Sequence, residues 1–234
     1  MTAQDVHTML LRLGDTATAA HSQRFFKTGP GEYGEGDQFL GIRVPILRAQ
    51  VKQCRDLPLK EVLIVLRSAF HEERLLALLI LVDQFAKGNE ENKTRIYESY
   101  LQHTAHINNW DLVDSSAPHI VGAYLEQRNK QPLYTLAAST DLWERRIAIM
   151  ATFHMIRKKD FDDALAISRL LSDDREDLIH KAVGWMLREI GKRDLTVERA
   201  FLQEHYQQMP RTMLRYAIEK FPEEERKRYL QGEV

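Results

Sequence analysis

Apolar residues along this chain recur every three to four positions, the spacing that gathers them on one face of a helix. ERLLALLILVDQFA (73–86) and RRIAIMATFHMIRKK (145–159) keep that period too long to be strands, and alternating β-branched residues are scarce. The seven prolines fall mainly at breaks in the pattern. Pro45 and Pro132 read as first-turn prolines, Pro210 and Pro222 as ends or connections. The pattern predicts an all-α chain.

The strongest apolar helices each open on a polar residue: Arg74, Asp111, Arg146, Lys181 and Arg215, spaced 34 to 37 residues apart. Between them lie second amphipathic stretches, among them LKEVLIVLRSA, NKTRIYESYLQ and FDDALAISRLL. A helix pair with two turns needs about that length, which is close to the HEAT-type repeat. The expected architecture is a HEAT-like or ARM-type solenoid over 1–234, a single domain in which stacked pairs bury their faces and curvature makes a concave groove. The recurring polar openings would line one edge of that groove or act as a ladder of contacts between repeats; spacing does not separate the two. The Gly-rich stretch TGPGEYGEGD (28–37) matches neither a phosphate loop nor a dinucleotide fingerprint. It reads as a connector, or as a loop able to touch a phosphate backbone.

Composition narrows the class. The 234 residues are 44% hydrophobic and 29% charged, with a formal net charge of −1. That balance weighs against a generic nucleic-acid binder, though a local basic face would suffice. No apolar run reaches membrane-span length, and MTAQDVHTMLLRLG lacks the features of a secretory signal. The single cysteine, Cys54, suits a reducing compartment. The expectation is a cytoplasmic protein without membrane association.

Candidate chemistry is sparse. His103, His106 and His119 are close in sequence, and His71, His154 and His180 are scattered, but none forms a metal-ligand spacing, so no metal is expected. Trp110, Trp143 and Trp185 each fall near the opening of a repeat helix. In HINNWDLVDSSAPHIVG (106–122), Trp110 and Asp114 stand four apart and share a helix face. Asp111, nearer the helix start, is the better cap candidate, which leaves Asp114 harder to explain structurally. An indole beside a carboxylate suits a cleft that holds a cation.

At NNWDLVDSSAPHIVG, DLWERRIAIM, HKAVGWMLREIGKRD and RFFKTGPGEYGEGDQFLGIRVPILR the sequence resembles the AlkD-like DNA alkylation repair family over nearly its whole length. The resemblance implies a HEAT-like solenoid acting as a glycosylase on cationic N3- and N7-alkylated purines in duplex DNA. It places the family's cleft tryptophans at Trp110 and Trp185 and its catalytic aspartate at Asp114. It places DNA-backbone contacts at Arg146 and Arg188, with Lys158, Lys192 and Arg193 as neighbours. Arg43 stands where the family's best-known type has glutamine after FLGI, so the DNA contact there differs.

A purine already carrying positive charge needs no acid to leave; one carboxylate steadying an oxocarbenium-like sugar and positioning water suffices. No cofactor is implied, and no lysine is placed for a strand-cleaving step. The expected partner is alkylated duplex DNA, bound by a monomer. The competing reading is a non-catalytic helical scaffold that binds DNA structures or a protein, since fold alone does not prove activity.

Overall fold

The computed structural model describes all 234 residues and contains helices and connecting turns only, apart from one isolated bridge between Gln38 and Phe70. The chain forms two compact units, residues 1–120 and 121–234. The first holds α1 (Ala3–Leu11), α2 (Thr16–Phe25), α3 (Val44–Cys54), α4 (Leu59–Leu66), α5 (His71–Lys87), α6 (Glu90–Gln102) and α7 (Trp110–Ser116). The second holds α8 (Ala123–Leu125), α9 (Gln131–Ala137), α10 (Leu142–Ala151), α11 (Phe153–Ile156), α12 (Asp162–Leu170), α13 (Asp177–Gly191), α14 (Leu195–His205), α15 (Arg211–Ala217) and α16 (Glu223–Gln231).

Local chemistry explains most boundaries. Pro45 and Pro132 do sit in the first turns of α3 and α9, where their missing N–H costs nothing. Pro210 and Pro222 cap the starts of α15 and α16. Asp15, Asn89, Asp141 and Asp194 accept first-turn amides at the starts of α2, α6, α10 and α14, satisfying donors that the helix itself leaves unpaired.

Each unit is organised around one long helix. In the first unit α5 is buried on all sides from His71 to Leu81, and it packs on α3, α4, α6 and α7. In the second unit α13 buries Ile179, Ala182, Val183, Met186, Leu187 and Ile190 against α10, α14 and α15. Gly184 is needed there: a side-chain carbon would stand 2.4 Å from the Met213 carbonyl oxygen of α15.

The repeat is visible in hydrogen bonds. Arg74 Nη1 donates to the carbonyls of Ser68 and Ala69 (3.0 and 3.2 Å), six and five residues back. Arg145 Nη1 makes the same two bonds, to Ser139 and Thr140 (3.1 and 2.9 Å). His180 Nε2 bonds the Asp174 carbonyl, again six residues back, at 2.5 Å. Each of these residues is the fourth of its helix, and each ties the helix to its own entry loop. The true register therefore runs through Arg74, Arg145 and His180, one residue before the Arg146 and Lys181 that spacing selects. Two adjacent arginines make the choice invisible to periodicity; only the carbonyls they reach decide it. At these positions the side chains brace the fold.

Candidate functional site

Trp110 and Asp114 do share one face of α7, a turn apart, and both are half-buried. The helix starts at Trp110 because Asn109, fully buried in the preceding turn, accepts the Trp110 amide on its side-chain oxygen at 2.8 Å. Asp111 is not the cap. Its Oδ1 takes the Leu112 amide at 2.9 Å, and its Oδ2 faces His71 Nε2 at 2.8 Å. Beneath Asp114 lies Tyr100, whose hydroxyl meets Ser116 Oγ at 2.9 Å. Burial pushes the Tyr100 phenol up; the Ser116 bond pulls it back, and the negative charge of Asp114 pushes it up again. Tyr100 therefore stays a neutral support under the α7 carboxylate.

The indole of Trp110 rests on aromatic rings. Phe26 stacks on it at 5.4 Å and Phe25 meets it edge-on at 6.0 Å. Phe26 in turn contacts Phe39 at 5.2 Å and the His71 ring at 4.8 Å. His71, 2% exposed, is held between two carboxylates: Asp37 Oδ2 at 3.1 Å from Nδ1, and Asp111 Oδ2 at 2.8 Å from Nε2. Burial alone would strip its proton, but the bonds to Asp111 and Asp37 outweigh that and lift it to about 9. Burial likewise opposes the charge of Asp37, yet the His71 bond and the Arg74 guanidinium, whose Nη2 lies 2.6 Å away, hold its carboxyl below the usual value. An imidazolium thus sits under the rings that carry Trp110, a cation against aromatic faces.

The Gly-rich loop supplies Asp37 to this network, so it is a structural strut. The chain after it is fixed by Glu72, which accepts the amides of Leu40, Gly41 and Ile42 at 2.8–3.1 Å. Gly41 adopts φ +80°, and a side-chain carbon on it would stand 2.0 Å from the Asp15 carbonyl oxygen. Only glycine fits there. Arg43, exposed at the start of α3, lines a cavity of about 560 Å³ together with Phe26, Phe39, His71 and Asp111; neither Trp110 nor Asp114 reaches it.

In the second unit Trp185 is half-buried on α13. Its Nε1–H donates to Glu189 Oε1 at 3.3 Å, one turn on. Glu189 also receives Lys192 at 2.5 Å and Arg193 at 2.9 Å. Burial resists its ionisation, and the two cations overcome that, holding the carboxyl below its usual value. Phe153 lies 6.2 Å from the Trp185 ring and carries two guanidiniums, Arg157 at 5.1 Å and Arg193 at 5.7 Å. Arg146 is buried and donates to the Leu178 carbonyl at 2.5 Å. Arg188 pairs with Glu219, and Lys158 with Glu126. Trp143 is buried in α10.

The sequence names the indoles and the carboxylate as candidates, and does not single out the residues packed against them: Phe25, Phe26, Asp37, His71, Phe153 and Glu189. Of these, only Glu189 carries a local signal, four residues after Trp185.

A family model described as DNA alkylation repair enzyme matches residues 6–221. A predicted DNA alkylation repair enzyme from Enterococcus faecalis shares the fold with a TM-score of 0.70 and 18% identity, over 90% of this chain and 97% of that one. AlkD2 from Streptococcus mutans shares it with a TM-score of 0.55 and 16% identity, over 88% and 97%. No curated protein sequence matches at comparable stringency. With the family model spanning all but the ends of an all-helical chain, this protein belongs to the DNA alkylation repair enzyme family.

Proposed function

We propose that the protein is a monofunctional DNA glycosylase that releases cationic N3- and N7-alkylated purines from duplex DNA. The observation that carries the reading is the Trp110–Asp114 pair: a half-buried carboxylate beside an indole, on a helix start fixed from below. A carboxylate in a site partly withdrawn from water acts on charge more strongly than one in solution.

In this mechanism the glycosidic bond breaks with its electron pair moving onto the purine, which becomes neutral as it leaves. Positive charge then resides on the sugar. Asp114 stabilises that charge and orients a water toward the anomeric carbon; the water's proton passes to the carboxylate or to solvent. Trp110 offers a π face to the cationic purine; Trp185 is the second indole to which the resemblance gives a catalytic role. Arg43, Arg188, Lys158 and Lys192 are the proposed backbone contacts; Arg146, to which the resemblance gives the same role, is buried on the Leu178 carbonyl and braces the fold instead. Salt then weakens binding in proportion to the phosphates neutralised. No cofactor takes part, and a monomer acts alone in the cytoplasm.

The test is release of N7-methylguanine from methylated duplex DNA by the wild type and by Asp114→Asn. A fall of about 10²-fold or more in a variant that still binds DNA, the size expected on losing one transition-state electrostatic partner, supports the mechanism; equal release removes Asp114 from it.

One observation favours a second reading, a non-catalytic DNA-binding scaffold. Lys158, Lys192 and Arg188 each already hold a carboxylate, so a phosphate must compete for them. Duplex binding without base release by either protein would select the scaffold.

A further inference from the structure

We propose that Arg67 and His106 form a phosphate-binding site at the entrance to α7 in the first unit. The proposal deepens the duplex-DNA reading and rests on it for the source of the phosphate.

The cluster is assembled from separate elements. Arg67 ends α4, His103 ends α6, and His106 lies in the short 3-10 turn Thr104–His106 that leads toward Trp110. Arg67 Nη2 donates to His103 Nε2 at 2.7 Å, while His103 Nδ1 faces the Ser99 carbonyl at 2.8 Å. A guanidinium only donates and a carbonyl only accepts, so His103 carries its proton on Nδ1 and presents its Nε2 lone pair to Arg67. That bond fixes one edge of the guanidinium and leaves Arg67, an exposed residue, its other N–H groups. The His106 ring stands 6.2 Å from that of His103.

No carboxylate pairs with Arg67, His103 or His106. Arg74, Arg145, Arg188 and Lys192, by contrast, hold Asp37, Asp174, Glu219 and Glu189. The charged and titratable groups facing His106 are His103 from the end of α6, Arg67 from the end of α4, and Arg74 from α5. Partial burial lowers the His106 pKa first, and those three bases lower it further. A guanidinium and an imidazole with no carboxylate of their own are relieved by an anion. The forked donors of arginine and the ring donor of histidine suit phosphate oxygens. Since His106 stands four residues before Trp110, a phosphate held here lies at the start of the helix that carries both Trp110 and Asp114.

The ligand could be a backbone phosphate of DNA or free phosphate, and two measurements separate these sources. Binding of a short undamaged duplex is measured for the wild type, Arg67→Gln, Arg67→Lys and His106→Gln across salt and between pH 7.5 and 5.5. The His106 imidazole is titrated by NMR with and without inorganic phosphate. Far-UV circular dichroism checks that each variant is folded.

With DNA as the source, Arg67→Gln weakens duplex binding by about 3–10-fold and flattens the salt slope by about 0.9, whereas His106→Gln weakens binding most at pH 5.5, where the imidazole can carry charge. Arg67→Lys falls between Arg67→Gln and the wild type. Wild-type affinity rises as pH falls, and His106→Gln loses that part of the rise. If the wild type does not bind the duplex but inorganic phosphate raises the His106 titration, and does so less in Arg67→Gln, the site stands for free phosphate and the DNA reading fails. Wild-type duplex affinity in all three variants, with a His106 titration indifferent to phosphate, overturns the proposal and leaves the DNA reading intact. Neither duplex binding nor a phosphate response overturns both.

Discussion

Two buried acidic sites, one in each unit, handle their charge in opposite ways. In the first, Asp37 and Asp111 flank an imidazolium, with Arg74 closing the set. In the second, Glu198 is 2% exposed, its Oε1 has no hydrogen-bond partner, and burial pushes its carboxyl up to about 8 despite the nearby charges of Arg188 and Arg199. The set around His71 keeps its charges and pairs them; Glu198 keeps its proton, although Glu189 in the same unit is charged and paired. The indoles follow the same division. Trp110 is supported from within by rings resting on a buried cation, whereas Trp185 is steadied by a carboxylate that shares its charge with two solvent-facing bases. A wall of the first kind is insensitive to salt, and one of the second kind is not.

The largest expected effect comes from breaking the paired set. His71→Ala leaves Asp111 without a cationic partner and Asp37 with Arg74 and the Asn109 amide, a loss expected at about 3–5 kcal/mol, read as a lower midpoint in urea unfolding. The pH dependence has a fixed sign. The folded pKa of His71, about 9, lies above its ordinary 6.5, so its contribution is complete below about pH 6.5 and is lost as pH rises through about 9.

Replacing the unpaired acid has the opposite sign. Between about pH 4.5 and 8 the folded chain keeps a proton on Glu198 that the unfolded chain has released, so stability falls as pH rises through that window. Glu198→Gln, uncharged at every pH, is expected to stabilise at pH 7 by up to about 3 kcal/mol and to erase the slope in thermal melts. The two windows overlap near neutrality, and the two variants separate them.

The smallest effect distinguishes the two walls. Glu189→Gln removes the charge that holds Lys192 and Arg193, at a cost of about 1 kcal/mol. The fluorescence of Trp185, read in a Trp110→Phe, Trp143→Phe background, should respond to salt in the wild-type Glu189 protein and much less in the variant. Trp110 fluorescence, isolated in the same manner, should be indifferent to Glu189 and to salt. A salt response at Trp110 equal to that at Trp185 would remove the distinction.

The helices were legible in the sequence because local rules set them: apolar period, first-turn prolines and capping aspartates. The face shared by Trp110 and Asp114 was legible because four residues along one helix fix it. The supports were not. Asp37, His71 and Asp111 meet across sequence separations of 34 and 40 residues, and no local pattern encodes such a meeting. The repeat register slipped by one residue for a related reason: Arg145 and Arg146 are alike in sequence and differ only in the carbonyls they reach. Asn109 capped α7 in place of Asp111 because Asp111 was already engaged by a histidine two helices away.

The doubly held His71 has a spectroscopic consequence. Both ring protons lie in hydrogen bonds to carboxylates, in a place that water scarcely reaches. Protons so placed exchange slowly and resonate far downfield, away from the crowded amide region. A one-dimensional spectrum in light water would then show, without isotopic labelling, whether the floor beneath Trp110 is intact, and would report any ligand that disturbs it.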